Sequence, residues 1–462
     1  MAKVKQEKNE RTITTRNISD FYRGEYVDYA QYVLSTRALP SIVDGFKVGA
    51  RKIMHAAMKG ALKDGKDHKF LNLAGDTLNY SHYNHGDTSL HGTISTLGSY
   101  YSDNLHPLQI IGQGGTLRDS SSAAPRYLSV QTSKYFGIYK TDIDLAEQQF
   151  DDGAYVEPEY FFPIIPTVLT SRTSGMGIGY SFGSMSYNPL DLIDSCIDVL
   201  LSGRTIRPIR PFVKECTSNS FVYDAEDARW YSCGKYDIDI SSGTVRVTAL
   251  PFDVDYSEYE TLLNSLLHTK YIKNWAEYNE DERIDYLITF DKAALKHELL
   301  DGETKLIRKL KLVSTVQKDN LTVLLPGNKI HKFESPNQLI EHFIGIRSKV
   351  YGNRKTKLLM ILPERLEYAT QMMKFLQAVV DGKLVIANRA LADIIADLDA
   401  QQFPHEFMDI KLSRITKEAI QEQQRIINSL NAEIEYIKNT PEIQMYLNDL
   451  SELRTKIAND FA

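Results

Sequence analysis

The sequence predicts a mixed α/β protein of several domains, in which helical and strand-forming segments are largely separated along the chain (α+β). One reason is size, because 462 residues that are 42% hydrophobic and 25% charged are enough for about two to four domains with separate cores. The other reason is periodicity, which changes from short helical segments to a mixed region and then to long helices. We therefore expect an N-terminal arm (1–25) followed by three domains (26–150, 151–335 and 336–462).

The composition indicates a soluble cytoplasmic protein. No apolar run reaches the roughly 18 residues of a membrane span, and the charged start of the sequence lacks the apolar stretch of a signal peptide. Cys196, Cys216 and Cys233 have no CxxC spacing, which favours reduced thiols and argues against a cysteine metal site. We expect no membrane partner and no metal ion on this chain.

The charge is unevenly distributed. Residues 1–140 contain 18 lysines and arginines against 12 aspartates and glutamates, whereas the remainder contains 36 against 48. A basic first part is typical of a surface that faces a polyanion, although the net charge of the whole chain is -6. A chance fluctuation of surface charge is the alternative at this point.

The domain at 26–150 is predicted to consist of short helices. Helical periodicity covers 29–35, 51–62 and 88–101, and Asp87 is expected to cap the first turn of the last helix. Short helices that end in such an amphipathic helix are typical of helix-turn-helix and winged-helix DNA-binding domains.

The domain at 151–335 carries mixed signals. Residues 242–247 alternate like a strand, whereas residues 256–275 have aliphatic side chains at helical spacing. The apolar runs in 305–325 fit a strand or a helix equally well. This domain is therefore expected to be α+β.

The domain at 336–462 is predicted to form two long antiparallel helical arms. The first starts near Leu339, and Pro363 should kink or break it. The apolar segment 375–398 would form a knob at the tip of the arms, and an exposed knob needs a partner. The second arm has an apolar seam of seven residues: Leu412, Ile415, Ala419, Ile426, Leu430, Ile434 and Ile437.

Several common motifs are absent from the sequence. The glycine-rich stretches 112–115 and 175–179 lack the third glycine of a dinucleotide-binding turn, and neither GxxxxGKS/T nor HExxH occurs. ATP binding through a P-loop is therefore not expected. The acidic pairs at 142–144 and 237–239 are expected to lie on exposed strand or turn faces rather than to bind magnesium.

One tyrosine lies in a context that suits a nucleophile, because Tyr127 directly follows Arg126. A phenol has an ordinary pKa near 10 and attacks a phosphodiester poorly unless a neighbour stabilises the charge that develops on the phosphate. Arg126 is suited to this task, because a guanidinium stays charged and donates two parallel hydrogen bonds to phosphoryl oxygens.

Four ordered motifs resemble one protein family. The segments 32–52, 83–87, 112–114 and 124–127 are similar, in order and approximate spacing, to the DNA breakage and rejoining (A-type) subunit of type IIA DNA topoisomerases. Within that family, the sequence most resembles the medium subunits of T4-like bacteriophages. The resemblance implies that the three domains are a winged-helix DNA-binding domain, an α+β tower domain, and a long antiparallel coiled coil with a globular C-gate.

The resemblance also implies roles for individual residues. Tyr127 would attack a backbone phosphate and become linked to the 5′ end, and Arg126 would stabilise the transition state. Met176 would wedge between base pairs, although a methionine in the core of a tight glycine turn is the alternative. The basic residues would hold phosphates, which gives strong salt dependence and weak sequence preference. The implied DNA-binding residues are Arg37, Lys47, Arg51, Lys52, His85, Thr88, Gln113 and Met176.

The partners implied by the resemblance are double-stranded DNA, a second copy of the chain, and a separate large subunit that binds ATP and Mg²⁺. Because no basic repeat domain follows the second arm, relaxation, decatenation and unknotting are expected rather than negative supercoiling. Two alternatives remain: a non-enzymatic winged-helix architectural DNA-binding dimer, and the A-type subunit of a cellular topoisomerase IV.

Overall fold

The structure is a computed structural model of the chain. It describes residues 17–62, 66–207, 209–214, 216, 220–227, 229–280, 283–300, 302–316, 318–386, 389–411 and 415–461. Of the N-terminal arm expected at 1–25, residues 1–16 lie outside the described residues. Among the residues that are described, no helix has both the length and the apolar composition that crossing a membrane requires.

The first part of the chain is helical, as expected. Its helices are α1 (Ile18–Arg23), α2 (Glu25–Val33), α3 (Val48–Ala56), α4 (Phe70–Ser81) and α5 (Asp87–Leu97). Five-residue π-helical turns follow α2 at Leu34–Ala38 and α3 at Ala57–Ala61. The expected cap is wrong: Gly86 is the N-cap of α5, and Asp87 is instead the first helical residue, where its charge favours the positive end of the helix dipole.

A small antiparallel sheet packs against these helices. Its strands are β1 (His68–Lys69), β2 (Leu108–Ile111) and β3 (Ser129–Thr132), in the order β1-β3-β2. Ser129 pairs with Ile111 on one side and with Lys69 on the other. The central strand β3 therefore begins two residues after Tyr127.

The expected domain boundary between 150 and 151 falls inside a strand. Residues there form a hairpin of β4 (Gln148–Asp151) and β5 (Ala154–Pro158), which is followed by a hairpin of β6 (Ser174–Gly177) and β7 (Tyr180–Gly183) and by α6 (Pro189–Ser202). One hydrophobic core joins buried residues between Leu34 and Cys216 with others in 316–351 and 445–461. We call this the main core unit, and the boundary at 150 does not divide it.

A second core lies entirely within the predicted middle domain, and its buried residues lie in 245–312. We call it the second core unit. It is built from the sheet β10-β11-β13-β12 and three helices, with bounds β10 (Lys235–Asp239), β11 (Thr244–Ala249), β12 (Asn274–Glu277), β13 (Tyr286–Thr289), α7 (Tyr256–His268), α8 (Lys292–Glu298) and α9 (Thr304–Lys309). The strand expected at 242–247 is confirmed in β11. The helix expected at 256–275 ends earlier, at His268, because Asn274 opens the edge strand β12.

Two smaller sheets complete the fold. The first has the order β14-β9-β8, and the second is a hairpin; the bounds are β8 (Ser220–Asp224), β9 (Arg229–Cys233), β14 (Val313–Thr315), β15 (Leu321–Leu325) and β16 (Lys329–Phe333). Phe221 and Trp230 of the first sheet pack against the main core. The mixed α/β class expected from the sequence is thereby confirmed.

The last part of the chain consists of long helices: α10 (Pro336–Val380), α11 (Leu391–Ala400), α12 (Lys417–Asn439) and α13 (Glu442–Phe461). The helices α10 and α12 are antiparallel, because Leu362 packs against Ile434 whereas Phe375, further along α10, shares a cluster with Ile420. Pro363 was expected to kink or break the first arm; the break is wrong, since α10 continues through Pro363.

The apolar seam of α12 was partly misassigned. Ile434 and Ile437 are buried as expected, but Ile427 is buried in place of Ile426, which is 37% exposed. Leu412 lies outside the described residues. The expected knob has its own core, which contains Phe375, Leu376, Ala378, Leu384, Ile394, Leu398 and Phe407.

The helix α13 was not anticipated. It turns back from the arms and buries Tyr446, Leu450 and Phe461 in the main core. Its Tyr446 hydroxyl donates to the carbonyl of Ile164 at 2.7 Å, and its ring stacks on Tyr351 of α10 at 4.4 Å. The main core unit is therefore closed by the last helix of the chain.

Candidate nucleic-acid interface

Tyr127 is presented to solvent by a short 3₁₀ turn, Pro125–Tyr127. Proline at the first position fixes the backbone for this turn, and the Leu128 amide closes it on the Pro125 carbonyl at 3.2 Å. Leu128 is fully buried while the Tyr127 side chain is 70% exposed. The backbone of the turn is thus held by the buried Leu128, whereas the Tyr127 side chain is accessible from solvent.

Arg126 lies beside that phenol. Its side chain is exposed, and its Cζ lies 5.0 Å from the centre of the Tyr127 ring, within the range of a cation–π contact. A phosphate brought to the Tyr127 hydroxyl would therefore meet a guanidinium at close range.

The loop before Tyr127 is tied to Gln113. The Gln113 carbonyl accepts hydrogen bonds from the Ala123 amide at 2.9 Å and from the Ser122 hydroxyl at 3.4 Å. Gly112 and Gly115 on either side have positive φ values of 110° and 88°, which side chains rarely adopt. The Gln113 side chain is exposed, and the Gln113 backbone anchors the loop of residues 116–124 that leads to Tyr127, which we call the tyrosine loop.

A groove of about 870 Å³ collects three of the predicted DNA-binding residues: Arg37, Lys47 and His85. Small polar residues of α5, among them Ser89 and Thr93, form part of its wall. Thr88 is exposed in the first turn of α5, where backbone amides lack helical partners and attract anions. Arg126, Tyr127 and Gln113 are not among the residues that line this groove.

The surroundings of the groove lower the pKa values of His85 and Lys47. Partial burial, together with the charges of Arg37 and Lys52, lowers the pKa of His85. Burial also lowers the pKa of Lys47, whose Nζ donates to the Ser174 carbonyl at 2.8 Å. Lys47 is therefore partly engaged, and Arg37 is exposed.

Arg51 and Lys52 were expected to contact DNA phosphates, but both side chains are turned toward the protein interior. Arg51 is 5% exposed, and its Nε and Nη2 lie 2.8 and 3.1 Å from the two carboxylate oxygens of Asp44. Lys52 Nζ contacts Glu157 Oε2 at 2.9 Å. Because α3 packs inside the main core unit, these cations neutralise buried carboxylates and are not available for the expected phosphate contacts. The sequence does not reveal Asp44 as the partner of Arg51, because two charged residues seven positions apart are equally typical of an exposed surface.

Met176 lies at the exposed face of the β6-β7 hairpin and is 87% exposed. The alternative of a core methionine is therefore wrong. Its two neighbours explain the position of the hairpin: a Cβ on Gly175 would lie 1.9 Å from the Ala38 carbonyl oxygen, and one on Gly177 would lie 2.7 Å from Leu34 Cδ2. The hairpin sits directly on the π-helical turn that also carries Arg37.

Among the described residues, no group of three or more histidine, cysteine, aspartate or glutamate side chains is arranged to hold a metal ion. The described residues therefore offer no cluster of carboxylates that would hold Mg²⁺. The chemistry that its own residues support is attack by a phenol beside a guanidinium, next to a polar groove at the amino end of a helix.

Comparison with known proteins identifies the class. The family model for the A-type chain of DNA gyrase/topoisomerase IV matches residues 37–453, and the chain belongs to this family.

Individual relatives include DNA topoisomerase 2, mitochondrial, of Dictyostelium discoideum, which is 27% identical over 94% of this chain and 35% of its own length. DNA topoisomerase 2 of Arabidopsis thaliana is 28% identical over 83% of the chain and 26% of its own length. The chain thus spans about a third or less of these relatives. The fold is shared with the topoisomerase II DNA-binding, cleavage and re-ligation domain of Plasmodium falciparum, with a TM-score of 0.84, 23% identity, and coverage of 96% of this chain and 64% of that chain.

Proposed function

We propose that this chain is the DNA cleavage and religation subunit of an ATP-dependent type II DNA topoisomerase. The observation that carries the proposal is the exposed Tyr127 hydroxyl beside the Arg126 guanidinium, in a chain that belongs to the A-type family of DNA gyrase/topoisomerase IV. Residues 26–150, 151–335 and 336–462 would then contribute the winged-helix, tower, and coiled-coil and C-gate regions, with parts of all three sharing the main core unit. A double-strand break held by two such chains would let a second duplex pass.

The proposed step is a transesterification. The Tyr127 oxygen attacks a backbone phosphorus, the bond from phosphorus to the 3′ oxygen breaks, and a 5′-phosphotyrosyl ester forms. The phenol loses its proton, and the leaving 3′ oxygen gains one, so that the DNA end is a 3′ hydroxyl. One phosphodiester replaces another, and the reverse step reseals the strand. Arg126 contributes by donating to the non-bridging oxygens where charge accumulates in the transition state.

DNA would lie across the groove of α5. Arg37 supplies an exposed positive charge, Lys47 a partly buried one, and the amide-rich start of α5 at Thr88 a further phosphate site. Neutral His85 would hydrogen-bond to the backbone near the cleaved phosphate, and Gln113 would contact the strand beside the tyrosine loop. Met176 would insert between base pairs and bend the duplex.

The chain would work with partners. The resemblance implies that Mg²⁺ and ATP would both be bound by a separate large subunit, and the described residues contain no cluster of metal-ligating side chains that would hold Mg²⁺ on this chain. Two copies of the chain, related by a two-fold axis, would supply one Tyr127 for each antiparallel strand. The products would be relaxed, decatenated or unknotted DNA. The resemblance to bacteriophage medium subunits would place the enzyme in the cytoplasm of a bacterial host.

The test is a covalent-adduct assay. The chain is mixed with a large subunit, supercoiled DNA and Mg²⁺, stopped with detergent, and examined for protein attached to 5′ ends. We expect adducts with the native chain and none with Tyr127→Phe, which should keep its DNA affinity. Tyr155→Phe is the matched control, because Tyr155 is also exposed, at 63%, but has no adjacent arginine. Adducts that persist in Tyr127→Phe would refute Tyr127 as the nucleophile. DNA binding by the native chain without any adduct would support the architectural-dimer alternative instead.

A further inference from the structure

Arg118 lies in the middle of the loop that leads to Tyr127, yet its side chain is directed away from solvent. It is 5% exposed. Its Nη1 donates to the carbonyls of Pro251 and Val254 at 2.6 and 2.7 Å, and its Nη2 donates to the carbonyl of Leu250 at 3.0 Å. One guanidinium therefore satisfies three backbone acceptors of a single turn.

That turn belongs to the second core unit. Leu250 and Val254 are buried members of its core, and the turn leads directly into α7 through the N-cap Asp255. The backbone of Arg118 is also engaged, because its carbonyl accepts from the Tyr256 amide at 3.2 Å. Arg118 thus joins the tyrosine loop to the start of α7 through four hydrogen bonds.

The rest of the loop is held mainly by local contacts. Asp119, Ser120, Ser121 and Ser122 are exposed, and the hydrogen bonds of Asp119 in this loop go to Thr116 and Ser121. Leu117 packs on the main core only as a partly buried residue. Arg118 is the buried anchor between the glycine turn at 112–115 and the 3₁₀ turn that carries Tyr127.

We propose that Arg118 is a positioning residue that sets the location of Tyr127 by fixing its loop to the second core unit. This inference rests on the proposed cleavage function. Arg118 gives the second core unit a direct link to the loop that carries the attacking atom. A movement of the turn at 250–254 relative to the main core unit would pull on the tyrosine loop.

The chemistry of the contact specifies arginine. Three acceptors that converge from one turn match the planar fork of a guanidinium, whereas a lysine ammonium would reach fewer of them. Removing the side chain leaves three carbonyls of a buried turn without their donors. Both effects loosen the loop but do not remove any group that touches DNA.

The experiment compares four variants of the full chain in the complex with the large subunit. Arg118→Met keeps length and packing without donors, and Arg118→Lys restores the charge and part of the hydrogen bonding. Arg246→Met is the matched control, because Arg246 is an arginine of the second core unit that pairs with Asp285 and is 55% exposed. Leu263→Ala controls for destabilisation of the same core, in which Leu263 is fully buried.

Two measurements separate positioning from stability. The first is the rate of strand cleavage at saturating DNA, together with the DNA dissociation constant. The second is hydrogen exchange of the Thr116 and Ala123 amides, which bond to Asp119 and Gln113 within the loop. The exchange measurement needs neither DNA nor a partner.

We expect Arg118→Met to cleave about 100-fold more slowly with an unchanged dissociation constant, since a displacement of about 1 Å costs this much. Arg118→Lys should recover part of the rate, and loop exchange should accelerate in the order native, Lys, Met. Arg246→Met should behave like the native chain. Leu263→Ala should lower the melting temperature without accelerating loop exchange.

An Arg118→Met chain that cleaves at the native rate, or a Leu263→Ala chain that matches its slow cleavage and fast loop exchange, would overturn the inference. Failure of the proposed function is distinguishable, because then the native chain would form no Tyr127 adduct at all.

Discussion

The β6-β7 hairpin that carries Met176 can pack against Ala38 only because residue 175 is a glycine, and Gly175→Ala should displace the hairpin. A Cβ at this position would lie 1.9 Å from the Ala38 carbonyl oxygen and 2.9 Å from Lys47 Nζ. Real Cβ atoms essentially never come closer than 3.0 Å, so the hairpin would have to move by at least about 1.1 Å, the difference between these distances. Overpacking of this kind costs about 1–3 kcal/mol, which lowers the equilibrium constant for docking of the hairpin by roughly 5- to 150-fold.

The consequence should appear in DNA bending. A duplex labelled with a fluorescent donor and acceptor at its two ends should show less energy transfer with Gly175→Ala than with the native chain. Gly179→Ala is the matched control, because Gly179 has a φ of 77° but an added Cβ would meet nothing within 4 Å. It carries only the strain of a left-handed residue, about 1–2 kcal/mol. Equal bending by Gly175→Ala and the native chain would refute the argument.

Three further predictions follow from buried and exposed groups. Asp44→Asn should lower the free energy of unfolding of the main core unit by about 3–5 kcal/mol in urea titrations, because it leaves the charge of Arg51 buried without its ion-pair partner. Met176→Ala should reduce DNA bending while leaving the melting temperature unchanged, because an 87% exposed side chain contributes little to folding. Burial raises the pKa of Asp103 from 3.8 to about 6, so this carboxyl stabilises the fold most below pH 3.8 and loses that contribution as the pH rises through 6. The free energy of unfolding of Asp103→Asn should therefore exceed that of the native chain by up to about 3 kcal/mol at pH 8, which raises its melting temperature. This advantage should disappear at pH 4.

Periodic features were predictable from the sequence. The helix expected at 88–101 was found as Asp87–Leu97, and the strand expected at 242–247 was found as Thr244–Ala249. Each buries one face, and a buried face leaves a regular apolar pattern. The knob at 375–398 was found because its apolar residues are dense. The exposed Tyr127 beside Arg126 was also predictable, because both residues lie in one motif.

Features that depend on distant partners were not predictable. Ile426 and Ile427 fit the same helical seam, and only the position of α10 decides that Ile427 is buried. Arg51 looked like a surface cation because its partner Asp44 lies in a turn whose shape the sequence does not reveal. Pro363 was expected to kink or break the first arm, but α10 runs through it without a break, and the neighbouring Leu362 packs against Ile434 of α12.

The acidic residue Asp142 shows how such distant contacts determine the path of the chain. It was expected to be exposed, yet its side chain is 6% exposed and lies 2.5 Å from Arg347 and 3.4 Å from Arg354, both on α10. The Asp142 and Arg347 positions are 205 residues apart, so no local pattern connects them.

These ion pairs occur where α10 changes its neighbours. Phe343 is still part of the main core, whereas Leu362 packs only with the cluster that includes Ile434 of α12. A buried ion pair adds little net stability over an apolar contact of the same size, because both charges lose their hydration. Its hydrogen bonds, however, are directional and favour particular arrangements of the two groups. We therefore expect the pair formed by Asp142 and Arg347 to favour one rotation and register at which α10 leaves the main core unit, and with it one direction of the arms.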